Sequence, residues 1–361
     1  MKVPARDMPS SDRLPDEVSA LPRSPATVPQ QQLLERLQRL ERPVGDRDKL
    51  RDRLSRLEPG HPSSPWDERG VPRPPEPRPA DVDRPRPPLN DVEYAAHRDE
   101  IGAALREAHG VYKAFRERQT VNPDRDIWTA DRVARQDEIA ARLYAEAAGA
   151  PCERKAIIAG GLGGSGKTTV LAEYAGVDLS RYLVINPDRC KEEMARSGML
   201  PDIERLSPME ASGLAHEESS YIAKQVALRA YAEGKNVIWD ITMSRPESAV
   251  ERISELRAAG YGRIEGVFVD IPIETSVARS EARHRRGHDN YLAGEGMGGR
   301  YRPPELIRSQ ADEEHGSINR RAFEEAKPLM DAWVVFDNSV DDRPPIVIER
   351  SPDNPEMIGP E

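Results

Sequence analysis

Two cysteines in 361 residues, Cys152 and Cys190, are too few for a disulfide framework and lack metal-ligand spacing, so a reducing cytoplasm is the expected home. No run of about 20 apolar residues occurs, so membrane insertion is not expected. The opening MKVPARDMPSSD has no apolar centre like that of a signal peptide. Positive charge is short as well. A formal net charge of −10 argues against a general nucleic-acid binder or a polybasic membrane binder, both of which need a cationic face. Hydrophobic residues reach 37% and aromatics 5%, and the shortage is uneven, because 18 of the 33 prolines precede Leu89. The first quarter therefore has little core material, whereas the chain from Asp91 on is long enough to bury one good core.

What is present concentrates in Ala156 to Val170, AIIAGGLGGSGKTTV, where an apolar run enters a glycine-rich turn and leaves through a lysine and two threonines. Gly161 to Thr168 fits G-x-x-x-x-G-K-[ST]. Glycines allow a tight loop whose backbone N–H groups wrap a phosphate, and the following helix turns its positive dipole end to that anion. The expected nucleotide contacts are Gly161, Gly163, Gly164, Ser165, Gly166, Lys167, Thr168 and Thr169. Lys167 would reach the β and γ phosphates, and Thr168 would place its hydroxyl on Mg²⁺. A flexible Gly/Ser linker would not carry a lysine and a β-branched pair in this register.

In chain order, residues 1–90 are expected to be largely disordered and proline-rich. Two short helical stripes interrupt them, at Leu33, Leu37, Leu40 and at Leu50, Leu54, Leu57. These could dock on a partner, cover the chain's own active site, or have no fixed partner at all. Residues 91–150 read as a helical extension of two amphipathic helices, Tyr94 to Glu117 and Thr129 to Ala148, packed on the nucleotide domain and showing no chemistry of their own. Strands then alternate with helices over 151–345: Tyr182–Asn186, a long helix Pro208–Gly234, Asn236–Ile241, a helix Pro246–Ala259, GVFVD ending at Asp270, a helix Ile273–Arg286, and Trp333–Asp337. That alternation predicts a doubly wound α/β fold with right-handed crossovers. Residues 346–361 are expected to add an edge strand and a tail.

Several polar residues fall where an open α/β sheet binds ligands, at the carboxyl ends of its strands. Asp188 follows YLVIN and could accept the proton of an attacking hydroxyl or hold Mg²⁺ through water. Its competing reading is a turn or cap residue. Asp240 closes NVIWD with Thr242 just beyond. His216 and Glu217 are adjacent and so do not suggest a metal site; a solvent-facing or capping role is expected for His216. Arginines gather after Ile273, at Arg279, Arg283, Arg285, Arg286, Arg300 and Arg302, around a glycine-rich segment starting at Gly287. They suggest a flap that closes over phosphates, with Arg279 and Arg285 read as solvated.

GGLGGSGKTT, INPDRCKEEM, the helix carrying His216, Glu217, Glu218 and Ser219, NVIWDIT and ARHRRGHDNYLAGEGMGGRYRPPE, in that order, resemble the zeta-toxin family of bacterial kinases over roughly Lys155 to Ser339. The resemblance implies a phosphate-loop, nucleoside-kinase-like fold and phosphorylation of a sugar hydroxyl on UDP-N-acetylglucosamine with ATP or GTP as donor. It further implies that Lys167 and Thr168 contact phosphate and metal, that Asp188 deprotonates the acceptor, and that Asp240 and Thr242 contact substrate. Members often carry glutamate where this chain has Asp240. Arg286 and Arg300 resemble the arginine pair that braces the transferring phosphate, with Arg283 as a substitute for Arg286. Other small hydroxyl acceptors, such as an antibiotic or a nucleoside, stay open, as does a nucleotide-switched interaction protein. An antitoxin or the chain's own N-terminal region would supply restraint.

Overall fold

Alternate residues of the apolar run before the glycine loop face opposite sides of a sheet, as the period of two in a strand requires. Ala156 and Ile158 belong to one hydrophobic core, Ile157 and Ala159 to another. A strand buried on both faces reads as an unbroken apolar run, and this one, β1 (Lys155–Gly160), lies inside a six-stranded sheet. The others are β2 (Leu183–Ile185), β3 (Val237–Asp240), β4 (Arg263–Asp270), β5 (Ala332–Asp337) and β6 (Ile346–Arg350). Their order is β6-β5-β4-β1-β3-β2, all parallel except β6, which runs antiparallel to β5. The chain moves to one side of β1 for β2 and β3 and crosses to the other for β4, so β1 marks the switch point at which such sheets bind ligands.

The computed structural model describes residues 86–122, 127–200, 202–203, 206–245 and 247–352, with the backbone alone over 108–122 and at 127. The leucine stripes before residue 60 lie outside the described residues. Among the described residues, the helices longer than two turns are α1 (Asp91–Gln119), α2 (Ala130–Ala145), α3 (Pro187–Arg196), α4 (His216–Glu233), α5 (Glu247–Ala258), α6 (Ile273–Leu292) and α7 (Ile318–Ala326). Leu143, Met194, Ile222, Val226, Leu256 and Phe323, from α2, α3, α4, α5 and α7, fill the larger core. Val170, Leu171 and Ala175, just past the glycine loop, cover the smaller core on the other face with Val334 and Phe336. The fold is thus the expected phosphate-loop α/β sheet with helices on both faces. No described helix is long and apolar enough to cross a membrane.

Three elements differ from expectation. The helix expected from Pro208 to Gly234 is broken: a turn at Pro208–Ala211 and a 3₁₀ turn at Ser212–Ala215 precede α4. The helix after the glycine loop is one α turn, Lys167–Thr169, passing into a π turn, Val170–Tyr174. The helix from Ile273 runs through Gly287 to Leu292. Gly287 is there for closeness: a Cβ on it would lie 2.6 Å from the Gly299 Cα, so the missing side chain admits the flap backbone and the helix continues past it.

The extension is tied to the sheet domain by a buried ion pair. Arg132 of α2 meets Glu218 of α4 through two parallel bonds, Nε to Oε1 at 2.7 Å and Nη2 to Oε2 at 2.8 Å. Gln136 and the Met199 carbonyl complete the network. Thr129 caps α2, accepting from the Arg132 amide.

Candidate active site

The carboxyl ends of β1, β2 and β3 open on a cleft of about 430 Å³, within the usual size of a small-molecule site. Its floor is the glycine loop. Gly161 adopts φ 141°, and a Cβ there would lie 2.4 Å from the Val269 carbonyl oxygen, so only glycine lets the loop leave β1 against β4. The loop is braced from outside: Asn338 Nδ2 donates to the Ser165 carbonyl at 2.8 Å, and Ser276 Oγ to the Gly163 carbonyl at 2.7 Å. Lys167 donates to the carbonyls of Gly161 at 3.1 Å and Leu162 at 3.3 Å, and its ammonium lies 3.8 Å from Asp240 Oδ1. Burial lowers the Lys167 pKa, and Asp240 and Asp188 oppose that shift.

Asp188 stands in the first turn of α3 rather than at the strand tip, because Asn186 caps that helix and Pro187 opens it. Asn186 works on two sides. Its Oδ1 accepts from the Asp188 amide at 2.8 Å, and its Nδ2 donates to Asp240 Oδ2 at 2.8 Å. Asp188 forms an ion pair with Arg300 and a second with Lys191 at 3.4 Å. Burial works to raise its pKa, but Arg300 and Lys191 outweigh it and hold the carboxyl below the usual carboxylate range. Burial raises Asp240, with Lys167 opposing. Beyond Asp240, Met243 takes a left-handed φ of 58°, an uncommon conformation for a side-chain-bearing residue and one that clusters at functional sites. It presents Thr242 and Ser244 side by side, Thr242 Oγ1 donating to Ser244 Oγ at 3.3 Å.

The cleft lining brings together the expected Gly163 to Thr169, Asp188, Asp240, Thr242 and Arg300. Gly161 lies beneath, as the hinge of the loop. Arg286 is not among the lining residues, and Arg283 is. At 100° per residue Arg286 is turned about 60° from Arg283 and sits about 4.5 Å further along α6. Ser280, one turn before Arg283, lies against the loop at Gly163 and Gly164. Arg302 also belongs to the site: a Cβ on Gly163 would come 3.1 Å from its Nη1. Lys191 and His216 were not foreseen as lining residues. Lys191 is one helical turn after Asp188, a spacing visible in the sequence. His216 has its pKa lowered, first by burial and then by Lys191. Arg279 pairs with Asp341 at 2.7 Å and Arg285 with Asp91 at 2.7 Å, both outside the cleft.

Oxygen donors suited to a hard cation, the Thr168 hydroxyl and the Asp240 carboxylate, line the same cleft as Lys167. The family model described as "Zeta toxin" matches residues 143–341, more than half of the chain. No curated protein matches. Among solved structures, the AvrRxo1-ORF1:-ORF2 complex with ATP is similar at 17% identity over 62% of this chain and 68% of that one, with a TM-score of 0.47. A chain of the PezAT chromosomal toxin-antitoxin system of Streptococcus pneumoniae is similar at 15% identity over 63% and 83%, with a TM-score of 0.45.

Proposed function

The chain belongs to the zeta-toxin family, and from that premise we propose that it is a kinase transferring the terminal phosphoryl group of ATP or GTP to a sugar hydroxyl of UDP-N-acetylglucosamine. The observation that carries this reading is the Asp188 carboxylate, paired with Arg300 and lining one cleft with Lys167 and the glycine loop. Asp188 takes the acceptor proton as the acceptor oxygen bonds to the γ phosphorus and the bond to the β–γ bridging oxygen breaks. Arg300 leaves Asp188 for the transferring phosphoryl oxygens, freeing the base while neutralising the charge that develops. Lys167 exchanges its loop carbonyls for β and γ phosphate oxygens. Thr168 and Asp240 would hold Mg²⁺, directly or through water, and the ion, when bound, supplies charge to the phosphates.

One observation favours a different acceptor. Asp240 is engaged by Asn186 at 2.8 Å and faces Lys167 at 3.8 Å, which turns it to the phosphate side and leaves Thr242 and Ser244 to meet the acceptor. A chain so arranged suits another small hydroxyl compound as well.

The test is mass spectrometry of the nucleotide-sugar pool after expression, comparing the native chain with Lys167→Ala. Accumulation of a phosphorylated UDP-amino sugar with the native chain alone supports the proposal. An unchanged pool, with labelled phosphate from ATP appearing on another acceptor in vitro, selects the second reading. A toxin of this kind needs restraint in the cell that makes it, by an antitoxin or by its own N-terminal region. Toxicity that rises on removing residues 1–85 assigns the restraint to that region.

A further inference from the structure

Behind the cleft, three imidazoles from two helices converge on one carboxylate oxygen. Glu210 Oε1 lies 2.9 Å from His97 Nε2, 2.9 Å from His284 Nε2 and 3.1 Å from His288 Nδ1. The Glu210 and His284 side chains are 0% and 1% exposed, so this is interior chemistry, with no bulk water to solvate it. His284 and His288 stand at i, i+4 on α6, the spacing that puts two imidazoles on one helix face. His97 arrives from α1. The ligand atoms of His97, Glu210 and His284 all lie within 4.8 Å of one another.

A purely hydrogen-bonded hub accounts for this poorly. A carboxylate oxygen offers about two lone-pair sites, and three imidazole nitrogens crowd Oε1 while Oε2 accepts the Ser207 amide at 2.7 Å. Tyr94 sharpens the point. Its hydroxyl has one proton, which it donates to the Glu281 carbonyl at 3.2 Å, and it lies 2.7 Å from His284 Nδ1. Where Tyr94 accepts Nδ1–H, His284 Nε2 can meet the Glu210 oxygen only through a second proton, as an imidazolium, or through a metal ion.

We propose that His97 Nε2, His284 Nε2 and Glu210 Oε1 form a binding site for a zinc-type divalent ion, with the neighbouring His288 Nδ1 or a water at the fourth position. Imidazoles with one carboxylate suit zinc and exclude magnesium as the preferred occupant. Bonds of about 2.0–2.1 Å in a tetrahedron set donors about 3.3 Å apart, so the observed contacts to Glu210 need only a small expansion. Tyr94 is the outer partner that fixes the His284 tautomer. The ion would join α1, the Pro208–Ala211 turn and α6. It would also fix the base of the flap, since the Met209 amide donates to the Met297 carbonyl at 3.0 Å and the Tyr301 ring meets His284 edge-on at 5.3 Å.

The untagged full chain, stripped with chelator and re-equilibrated with Zn²⁺ in excess Mg²⁺, should retain one zinc per chain on dialysis. Its Co²⁺ form should show the intense visible bands of a tetrahedral site. Tyr94→Phe should weaken zinc binding about 10-fold, His97→Gln should weaken it further, and an Asp188→Asn, Asp240→Asn double variant should keep the zinc, separating this site from the cleft. Retention below about a tenth of an equivalent, or equal retention by native and folded His97→Gln chains, overturns the proposal. Should His97→Gln fail to fold, the native Co²⁺ spectrum decides, and weak octahedral bands overturn it.

Discussion

Asp188 and Glu210 are both carboxylates that other groups keep ionised against burial, yet their surroundings differ in kind. The Asp188 side chain is 41% exposed and leans on Arg300, from the irregular segment after α6, and on Lys191, a turn along its own helix. Glu210 is fully enclosed, and its three imidazole partners all come from the regular helices α1 and α6. Burial works to raise the Glu210 pKa, but His284, His288, His97 and the Ser207 amide outweigh it and hold it low. On the proposed reading, the charge exchanged for substrate is paired in part with an arginine on an irregular segment, while the enclosed charge is surrounded from regular helices. The same polar chemistry would then serve turnover at the front of the molecule and anchoring behind it.

Replacing Arg300 is the most direct way to break that contrast. Were Arg300 only a resting partner of Asp188, Arg300→Ala would free the base and raise activity. Should it instead move to the phosphoryl group, activity should fall by about 10³ to 10⁵, the range for an arginine supplied in cis. Steady-state kinetics with a saturating acceptor reads the sign directly, and any increase would remove Arg300 from catalysis.

A second substitution probes the anchoring side away from the histidines. Arg132→Ala leaves Glu218 charged, buried and short of its bidentate partner, and truncating one member of such a pair costs about 3–5 kcal/mol. Urea unfolding should show that loss in full, with nucleotide affinity of the folded protein retained. A loss under about 1 kcal/mol would mean that the extension is merely apposed to the sheet domain, as exposed ion pairs are.

The part of this organisation that depends on local pattern was legible in the sequence. AIIAGG shows a doubly buried strand and its loop, and Asp240 follows directly from the end of NVIWD. What depended on rotation about a helix axis was not. Arg283 and Arg286 are equivalent as letters, and only the orientation of α6 about its axis decides that Arg283 lines the cleft and Arg286 does not. The helix expected from Pro208 starts as expected, at a capping box of Ser207 and Glu210, and its break falls later, at the 3₁₀ turn Ser212–Ala215. Glu210 joins residues more than 70 positions away on either side, and no window of sequence shows such a meeting. That His97 of α1 meets Glu210 could not be read from the sequence for the same reason.

The smallest expected effect is a displacement along the pH axis. kcat/KM reports ionisations of the free enzyme, in which Arg300 and Lys191 outweigh burial and hold Asp188 below the ordinary range. The acid limb of the native chain should therefore fall below about pH 4. Removing the Arg300 charge disfavours the carboxylate, so the residual activity of Arg300→Gln should show its limb moved upward, with Lys191 and Arg302 left to oppose burial. Stability carries the same sign. A depressed carboxyl contributes stability above its unfolded pKa of about 3.9 and loses it as pH falls through the folded value. The stability gap between native and Arg300→Gln chains should accordingly be widest near neutrality and close in acid. A gap that instead persists unchanged to the acid limit of folding would show that Arg300 acts through packing, and the front of the molecule would then be anchored in the same manner as the back.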